Sequence, residues 1–193
     1  MDRAESTALL RAARAGSPDA LDRLYAKVAG RLLGFIRVRM GPSLRVRLES
    51  RDILQATLLR SFERIDQFEG DTGSSLMAWL ARIAENEIRD RVDHAHRARR
   101  DVARELPLQP AAAQVAAQVR SALSQAVLSE ESARIERALE SLEPNHREVI
   151  LLRKYEELGF KEIAARMGRS EDACRMLLAR AMAALTLALE PPA

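Results

Sequence analysis

Residues 160–185 read FKEIAARMGRSEDACRMLLARAMAAL and have the spacing of a helix-turn-helix. Ile163 and Ala164 lie on the inner face of a short first helix, and Gly168 ends that helix. Ser170 is placed to cap a second helix, in which apolar residues recur every three or four positions. The sequence therefore predicts a helical hairpin with a tight, glycine-containing turn.

In a helix-turn-helix that binds DNA, the second helix enters the major groove with its N-terminal half against the bases. Arg175 points outward at this end, where its guanidinium fits the edge of a guanine. Ser170 and the amides at the helix end can take a phosphate. The two acidic residues that follow Ser170 repel phosphate, although acids also favour a helix N-terminus. Helical hairpins without a DNA function share much of this pattern.

Before this motif, the chain has the periodicity of further amphipathic helices. A short helix spans about residues 6–15, and Ser17 with Pro18 begins a second that ends at Gly41. Gly34 follows another glycine by four residues, a spacing that we interpret as close packing against a neighbour.

A third helix starts near Ser50, and a fourth is capped by Ser74 or Ser75. Between them lies a loop with the composition Gly-Asp-Thr-Gly at 70–73. The apolar stripe of the third helix consists of Leu54, Leu58, Phe62 and Ile65.

Residues 101–129 differ in composition from the segments on either side. Two prolines break any helix at their start, and the alanine- and glutamine-rich remainder has almost no bulky apolar residues to form a core. We therefore predict an all-α fold of two small helical domains, 1–100 and 130–193, joined by a flexible linker at 101–129. The C-terminal domain contains the helix-turn-helix.

The composition excludes several classes of protein. Aromatic residues make up 4% of the 193 residues and glycines number eight, too few for a typical β-sandwich. The single cysteine, Cys174, rules out a disulfide framework and any cysteine-based zinc site. We interpret it as a small core residue, with a reactive thiol as the alternative. No apolar run approaches the roughly 20 residues that cross a bilayer.

The basic residues are almost all arginine. Lysine and arginine total 31, of which 28 are arginine, yet 28 acidic residues leave a formal net charge of only +3. Arginine pairs well with phosphates, so the balance weakly indicates a polyanionic partner. A GC-rich genome explains the same bias equally well.

Three blocks carry a resemblance to a known family: DILQATLLR at 52–60, AWLARIAEN at 78–86 and LEPNHREVILLR at 142–153. Their order and spacing around the linker resemble bacterial RNA polymerase sigma factors of the extracytoplasmic-function (ECF) type. The resemblance implies a dissociable specificity subunit, which directs the core polymerase to promoters and initiates transcription.

The first block resembles the family's core-polymerase-binding helix. The resemblance places core binding on Asp52, Gln55 and Leu59, which at i, i+3 and i+7 share a face rotated away from the apolar stripe. Without the resemblance, an ordinary solvated face is the better interpretation.

The second block resembles the promoter-melting helix, which binds the non-template strand of the minus-ten element. The residues that we expect to bind this element are Arg82, Asn86, Arg89, Arg97 and Arg100. The loop at 66–75 is where such proteins accept a flipped base. Phe68 and Trp79 are the nearby aromatics, and we expect Trp79 in the core. Both helix and loop are more acidic than the family pattern.

The resemblance assigns the minus-thirty-five element to the second helix of the helix-turn-helix. The residues that we expect to bind it are Ser170, Arg175, Met176 and Arg180. Apolar residues, Met176 among them, stand where polar or basic ones are usual in the family. Arg175 and Arg180 are therefore the main expected contacts.

Two other functions remain open at this point. One is a helix-turn-helix transcriptional regulator with an N-terminal sensing or dimerisation domain, and the other is a helical adaptor that binds only protein. Salt-sensitive promoter binding that depends on core polymerase separates both from a sigma factor.

We do not expect an enzyme, because no phosphate-binding glycine loop and no HExxH pattern are present. His94 and His96 are two apart and point to different sides of a helix, and His146 is remote from them, so we expect no metal and no cofactor. The expected partners are RNA polymerase core enzyme and promoter DNA, with an anti-sigma factor left open. The N-terminus lacks a hydrophobic signal core, so we expect a cytoplasmic protein without membrane insertion.

Overall fold

The computed structural model describes residues 3–70, 73–98 and 130–190, and the regular secondary structure within these ranges is entirely helical. The chain divides into two compact units, Met1–Val127 and Leu128–Ala193. The all-α prediction is confirmed, whereas the predicted linker lies outside the described residues. None of the helices in the described part of the chain combines the length and apolar character that crossing a bilayer requires.

The first unit is built from long helices with local stop signals between them. Its elements are α1 (Arg3–Arg14), α2 (Pro18–Arg45), α3 (Ser50–Glu63), a 3-10 helix (Ile65–Gln67) and α4 (Gly73–Ala98). Gly16 turns the chain after α1 with a φ of 85°, and the Ser17 hydroxyl accepts a hydrogen bond from the Ala20 amide at 3.4 Å. The chain leaves helical geometry at Gly41, where φ is 64°, before α2 completes a last turn.

The core of the first unit lies between the apolar faces of these helices. Its fully buried members include Leu24, Leu32, Phe35, Ile36, Ile53, Leu54, Leu58, Leu76, Leu80 and Ala84. On α3 the predicted stripe is only partly right, because Phe62 and Ile65 are half-buried while Thr57 and Ser61 are fully buried. The Thr57 hydroxyl donates to a carbonyl one turn earlier at 2.7 Å, and the Ser61 and Tyr25 hydroxyls are 2.6 Å apart. These hydrogen bonds satisfy the buried hydroxyls.

Two details of the first unit differ from the sequence-based expectations. The helix α4 spans Gly73–Ala98, so it begins one or two residues before the predicted cap positions, Ser74 and Ser75, which stand in its first turn. Gly34 has no atom within 4 Å of the position that a Cβ would occupy, so the predicted close packing there is wrong.

The second unit contains the helix-turn-helix. Its elements are α5 (Glu130–Ser141), α6 (Pro144–Ile150), a π-helical turn (Leu151–Tyr155), α7 (Phe160–Met167) and α8 (Glu171–Leu189). Gly168 ends α7 in the left-handed conformation, with φ 64° and ψ 37°. The Ser170 hydroxyl accepts a hydrogen bond from the Ala173 amide at 3.2 Å and caps α8. The predicted turn is therefore confirmed.

The helix α8 is less buried than its apolar repeat indicates. Cys174 and Ala181 are its buried residues, whereas Leu177 and Leu185 are half-buried and Ala173 is exposed. Among the described elements, α5, α6 and α7 pack against α8 and cover only one side of it. Burial of Cys174 agrees with its interpretation as a small core residue.

Arg147, near the beginning of α6, forms hydrogen bonds with the C-terminal end of α5. Its Nε donates to the carbonyl of Leu139 at 3.1 Å, and its Nη2 donates to the carbonyls of Glu140 and Leu142 at 3.0 Å. Carbonyls in the last turn of a helix lack partners within the helix, and the helix dipole favours a cation there. One guanidinium therefore closes the C-terminus of α5.

We expect Arg147→Ala to lower the free energy of unfolding of the second unit by about 2 kcal/mol, because the carbonyls at the end of α5 lose charged donors. Urea denaturation followed by circular dichroism measures the loss, and hydrogen exchange of residues 130–142 locates it. Arg137→Ala, at an exposed position of α5, is the control and should change neither. Equal effects of the two variants would contradict the assigned role.

Candidate functional site

The predicted polymerase-binding face of α3 is accessible to a partner. Asp52 is exposed, and Gln55 and Leu59 are half-buried. Their spacing places all three on one side of α3, away from the fully buried Ile53 and Leu54. The structure therefore brings these three residues together as a polar surface with one apolar side chain.

The predicted minus-ten face of α4 is an exposed row formed by Arg82, Asn86 and Arg89, which we call the α4 row. Arg82 donates through Nε to a carbonyl of the preceding turn at 3.4 Å, and Arg89 donates through Nη1 to Asn86 Oδ1 at 3.5 Å. Hydrogen bonds of this length are weak and leave the side chains available to a ligand. The side chain of Arg97 and the whole of Arg100 lie outside the described residues.

The acidic residues of α4 are paired with arginines from neighbouring helices. Glu85 forms an ion pair with Arg39 of α2, and Glu87 forms one with Arg60 of α3 at 2.8 Å. Arg60 also lies 3.5 Å from Asp90. Glu87 is buried, so its charge meets Arg60 rather than solvent. Glu85 and Glu87 are therefore paired within the first unit, whereas Asp90 shares its arginine with Glu87 and Asp93 is exposed.

The loop between the 3-10 helix and α4 is built around Phe68, which is 5% exposed. Its ring centroid lies 5.2 Å from that of Trp79, with the ring planes inclined at 35°. Trp79 is half-buried, so its predicted place in the core is only partly right. A Cβ at Gly70 would lie 2.4 Å from Phe68 Cζ and 2.6 Å from Ser75 Cβ. The loop conformation therefore requires glycine at this position.

Arg14, the last residue of α1, contacts the same loop. Its guanidinium carbon lies 5.2 Å from the Phe68 ring centroid. Its Nη2 donates to the carbonyl of Phe68 and, at 2.8 Å, to the carbonyl of Gly70. Sequence reasoning missed this contact because no local pattern links residues so far apart in the chain.

Arg175, the predicted base reader, is held by side chains of its own unit. Its Nη1 lies 2.7 Å from Asp172 Oδ1, and its Nη2 lies 3.1 Å from Glu171 Oε2. Its guanidinium carbon is 4.9 Å from the ring centroid of Phe160, and that of Arg153 is 5.3 Å from the same ring. The Arg175 side chain remains 50% exposed. The two acids expected to repel phosphate are thus ion-pair partners of Arg175, and the role of Phe160 was not predicted.

The other predicted residues of the recognition helix are also accessible. Met176 is 57% exposed, and Arg180 and Ser170 are exposed. Ser170 uses a lone pair for the helix cap, so its hydroxyl proton stays available to a phosphate. Five residues of helix turn Arg180 by about 140° from Arg175, so the two arginines lie on different sides of α8.

Family models match both units of the chain. The model described as Sigma-70 region 2 matches residues 24–99, and the model described as Sigma-70, region 4 matches residues 132–185. The first match covers the N-terminal unit, which would be the sensing or dimerisation domain if the chain were a helix-turn-helix regulator.

Two curated proteins are similar over most of the chain. The RNA polymerase sigma factor CarQ of Myxococcus xanthus is 33% identical over 165 residues, which are 84% of this chain and 85% of CarQ. The ECF RNA polymerase sigma factor BldN of Streptomyces coelicolor is 30% identical over 191 residues, which are 95% of this chain and 66% of BldN.

Solved structures with similar chains include CnrH in complex with the cytosolic domain of CnrY, and an RsbN–BldN complex. The first has a TM-score of 0.49 at 24% identity and covers 96% of this chain and 97% of the other. The second has a TM-score of 0.35 at 24% identity and covers 92% and 96%.

We expect opposite effects from adding a methyl group at two glycines. Gly70→Ala forces the Phe68 ring or Ser75 to move and should lower the free energy of unfolding by about 1–3 kcal/mol. Gly34→Ala, in open space within α2, should raise it by about 0.4–1 kcal/mol. Thermal unfolding measures both, and Trp79, the one tryptophan of the chain, should change its fluorescence only in Gly70→Ala. A neutral Gly70→Ala would show that the loop adapts freely.

Proposed function

Because the chain belongs to the sigma-70 family, as an ECF-type sigma factor that directs RNA polymerase to promoters, we propose that its two units bind different promoter elements. Residues 1–100 bind core polymerase and melt the minus-ten element, and residues 130–193 bind the minus-thirty-five element. Residues 101–129 connect them. The chain performs no covalent chemistry of its own, and it acts in the cytoplasm, where bacterial polymerase transcribes.

Docking to core polymerase uses the face of α3 that carries Asp52, Gln55 and Leu59. The support for this role is that the face is accessible while the opposite face of α3 is wholly buried. A half-buried leucine between polar side chains provides an apolar contact with a polar rim, the usual anatomy of a protein interface.

Melting of the minus-ten element uses the α4 row, continued by Arg97 and Arg100. The observation that supports this most is the pairing of Glu85 and Glu87 with arginines of α2 and α3. This pairing turns Glu85 and Glu87 towards arginines of neighbouring helices, so Asp93 is the acid that remains exposed on the face of the row. Binding energy from polymerase and phosphates then favours the separated strands over the duplex.

Recognition of the minus-thirty-five element uses the N-terminal half of α8. Arg175 reads a base edge, Ser170 binds a phosphate, and Met176 and Arg180 line the groove. To bind the base, Arg175 must break its ion pairs with Asp172 and Glu171. The net binding free energy is therefore the difference between two sets of charged hydrogen bonds. Free DNA affinity is then low, in line with a net charge of only +3.

Dependence on polymerase tests the function as a whole. Fluorescence anisotropy of a promoter duplex should show weak, salt-sensitive binding by the free protein and tight binding once core polymerase is added. Tight binding by the free protein, with no gain from core polymerase, would remove the proposal.

We expect the double variant Asp52→Ala, Gln55→Ala to bind core polymerase about tenfold more weakly, because two interface side chains are truncated on one face. Titration of core polymerase with labelled protein measures the affinity. The double variant Asp66→Ala, Gln67→Ala, at exposed positions of the 3-10 helix, is the matched control and should bind normally. Unchanged binding by the double variant, with its unfolding temperature preserved, would move the docking face elsewhere.

We expect Arg175→Ala to lose about 1–3 kcal/mol of discrimination at one base pair of the minus-thirty-five element. Holoenzyme binding to promoters substituted one base pair at a time measures this loss. Asp172→Asn should have the opposite sign and strengthen binding, because it removes an acid that competes for Arg175. If both variants keep the wild-type base preference, the readout lies in other residues.

A further inference from the structure

The helix α1 lies outside the match to the region 2 model, which begins at residue 24, yet its end contacts the loop ahead of α4. It packs on α2, with Leu9 and Leu10 buried, and Glu5 near its start forms an ion pair with Lys27 of α2. A helix anchored along its length holds its last side chain in a defined position. The guanidinium of Arg14 is therefore presented to the loop by a rigid support.

Arg14 contacts a segment of three residues, Phe68–Gly70, in two ways. Its guanidinium donates to the carbonyls of Phe68 and Gly70, and it packs against the ring of Phe68 at 5.2 Å. Charged donors make stronger hydrogen bonds to carbonyls than neutral ones, and a planar guanidinium can do this while it stacks on a ring. A lysine ammonium keeps the charge but loses the planar stacking.

The segment in turn contacts the helix proposed to bind DNA. The Phe68 ring packs on Trp79, and Trp79 precedes Arg82 by three residues on the same side of α4. Gly70 has no room for a side chain beneath the Phe68 ring. A continuous set of contacts therefore runs from α1 through the loop to the N-terminal end of the α4 row.

We propose that Arg14 is a positioning residue for promoter melting, which holds Phe68–Gly70 against Trp79 in the conformation that receives the separated strand. The proposal rests on the proposed function of the first unit, since it assigns a DNA-binding role to the surface that Arg14 supports. Arg14 itself need not touch DNA. It sets the backbone of the loop before DNA arrives, so the binding free energy is not used to order the loop.

A residue with a purely structural role would lower thermal stability and weaken every interaction of the first unit together. A positioning residue for the loop should affect single-stranded DNA alone, because the α3 face depends on other contacts. The variants that separate these roles are Arg14→Ala, Arg14→Lys and the control Arg11→Ala. Arg11 is exposed, carries the same charge as Arg14, and lies three residues before it in the last turn of α1.

The experiment compares holoenzymes on a fork-junction DNA whose minus-ten element is single-stranded on the non-template strand. Arg14→Ala should bind this DNA about tenfold more weakly than wild type, while its affinity for core polymerase changes less than twofold. Arg14→Lys should be intermediate, and Arg11→Ala should match wild type. In the free protein, the fluorescence of Trp79 should shift in Arg14→Ala and not in Arg11→Ala.

Wild-type binding of the fork by Arg14→Ala, or an equal loss with Arg11→Ala, overturns the proposal. A loss of core affinity in parallel with fork affinity also overturns it, because the role is then structural. The double variant Arg82→Ala, Arg89→Ala separates this result from failure of the proposed function. If that variant binds the fork normally, the α4 row does not bind the strand and the function assigned to the first unit fails. If it binds weakly while Arg14→Ala binds normally, only the role of Arg14 fails.

Discussion

The surface of α4 that we propose to bind DNA depends on two ion pairs inside the first unit. A carboxylate buried without a partner is strongly unfavourable, so Glu85 and Glu87 must meet Arg39 and Arg60. These partners come from two different helices and fix the rotation of α4 about its own axis. Once that rotation is fixed, Arg82, Asn86 and Arg89 face outward, with Glu85 at the edge of the same side and turned towards Arg39.

Both proposed DNA-binding faces make contacts of their own before any ligand arrives. Arg89 bonds to Asn86, and Arg175 pairs with Glu171 and Asp172. At Arg175, binding of DNA then replaces two charged hydrogen bonds, so a base contributes less than its contact alone indicates, whereas at Arg89 it replaces only one long, weak bond. Because these replacements lower the affinity of the free protein for DNA, RNA polymerase has to add the remaining affinity.

Much of the fold follows from local sequence, because helix periodicity and caps act over a few residues. The Ser17 and Ser170 caps and the Gly168 turn are of this kind, and all three were predictable. Contacts between distant residues were not predictable, since no single sequence shows which arginine meets which acid or that Arg14 reaches the loop. The prediction of close packing at Gly34 was wrong for a related reason, because the spacing of two small residues does not reveal whether a neighbouring helix faces them.

Cys174 is the only cysteine of the chain, and its side chain is wholly buried. Thiols react as exposed thiolates, so an oxidant reaches this sulfur only in molecules whose helix-turn-helix has opened. A sulfinic or sulfonic group formed on this sulfur is too polar to be buried again, so the oxidised molecule cannot refold its second unit. Oxidation of Cys174 is therefore limited by how often the second unit opens.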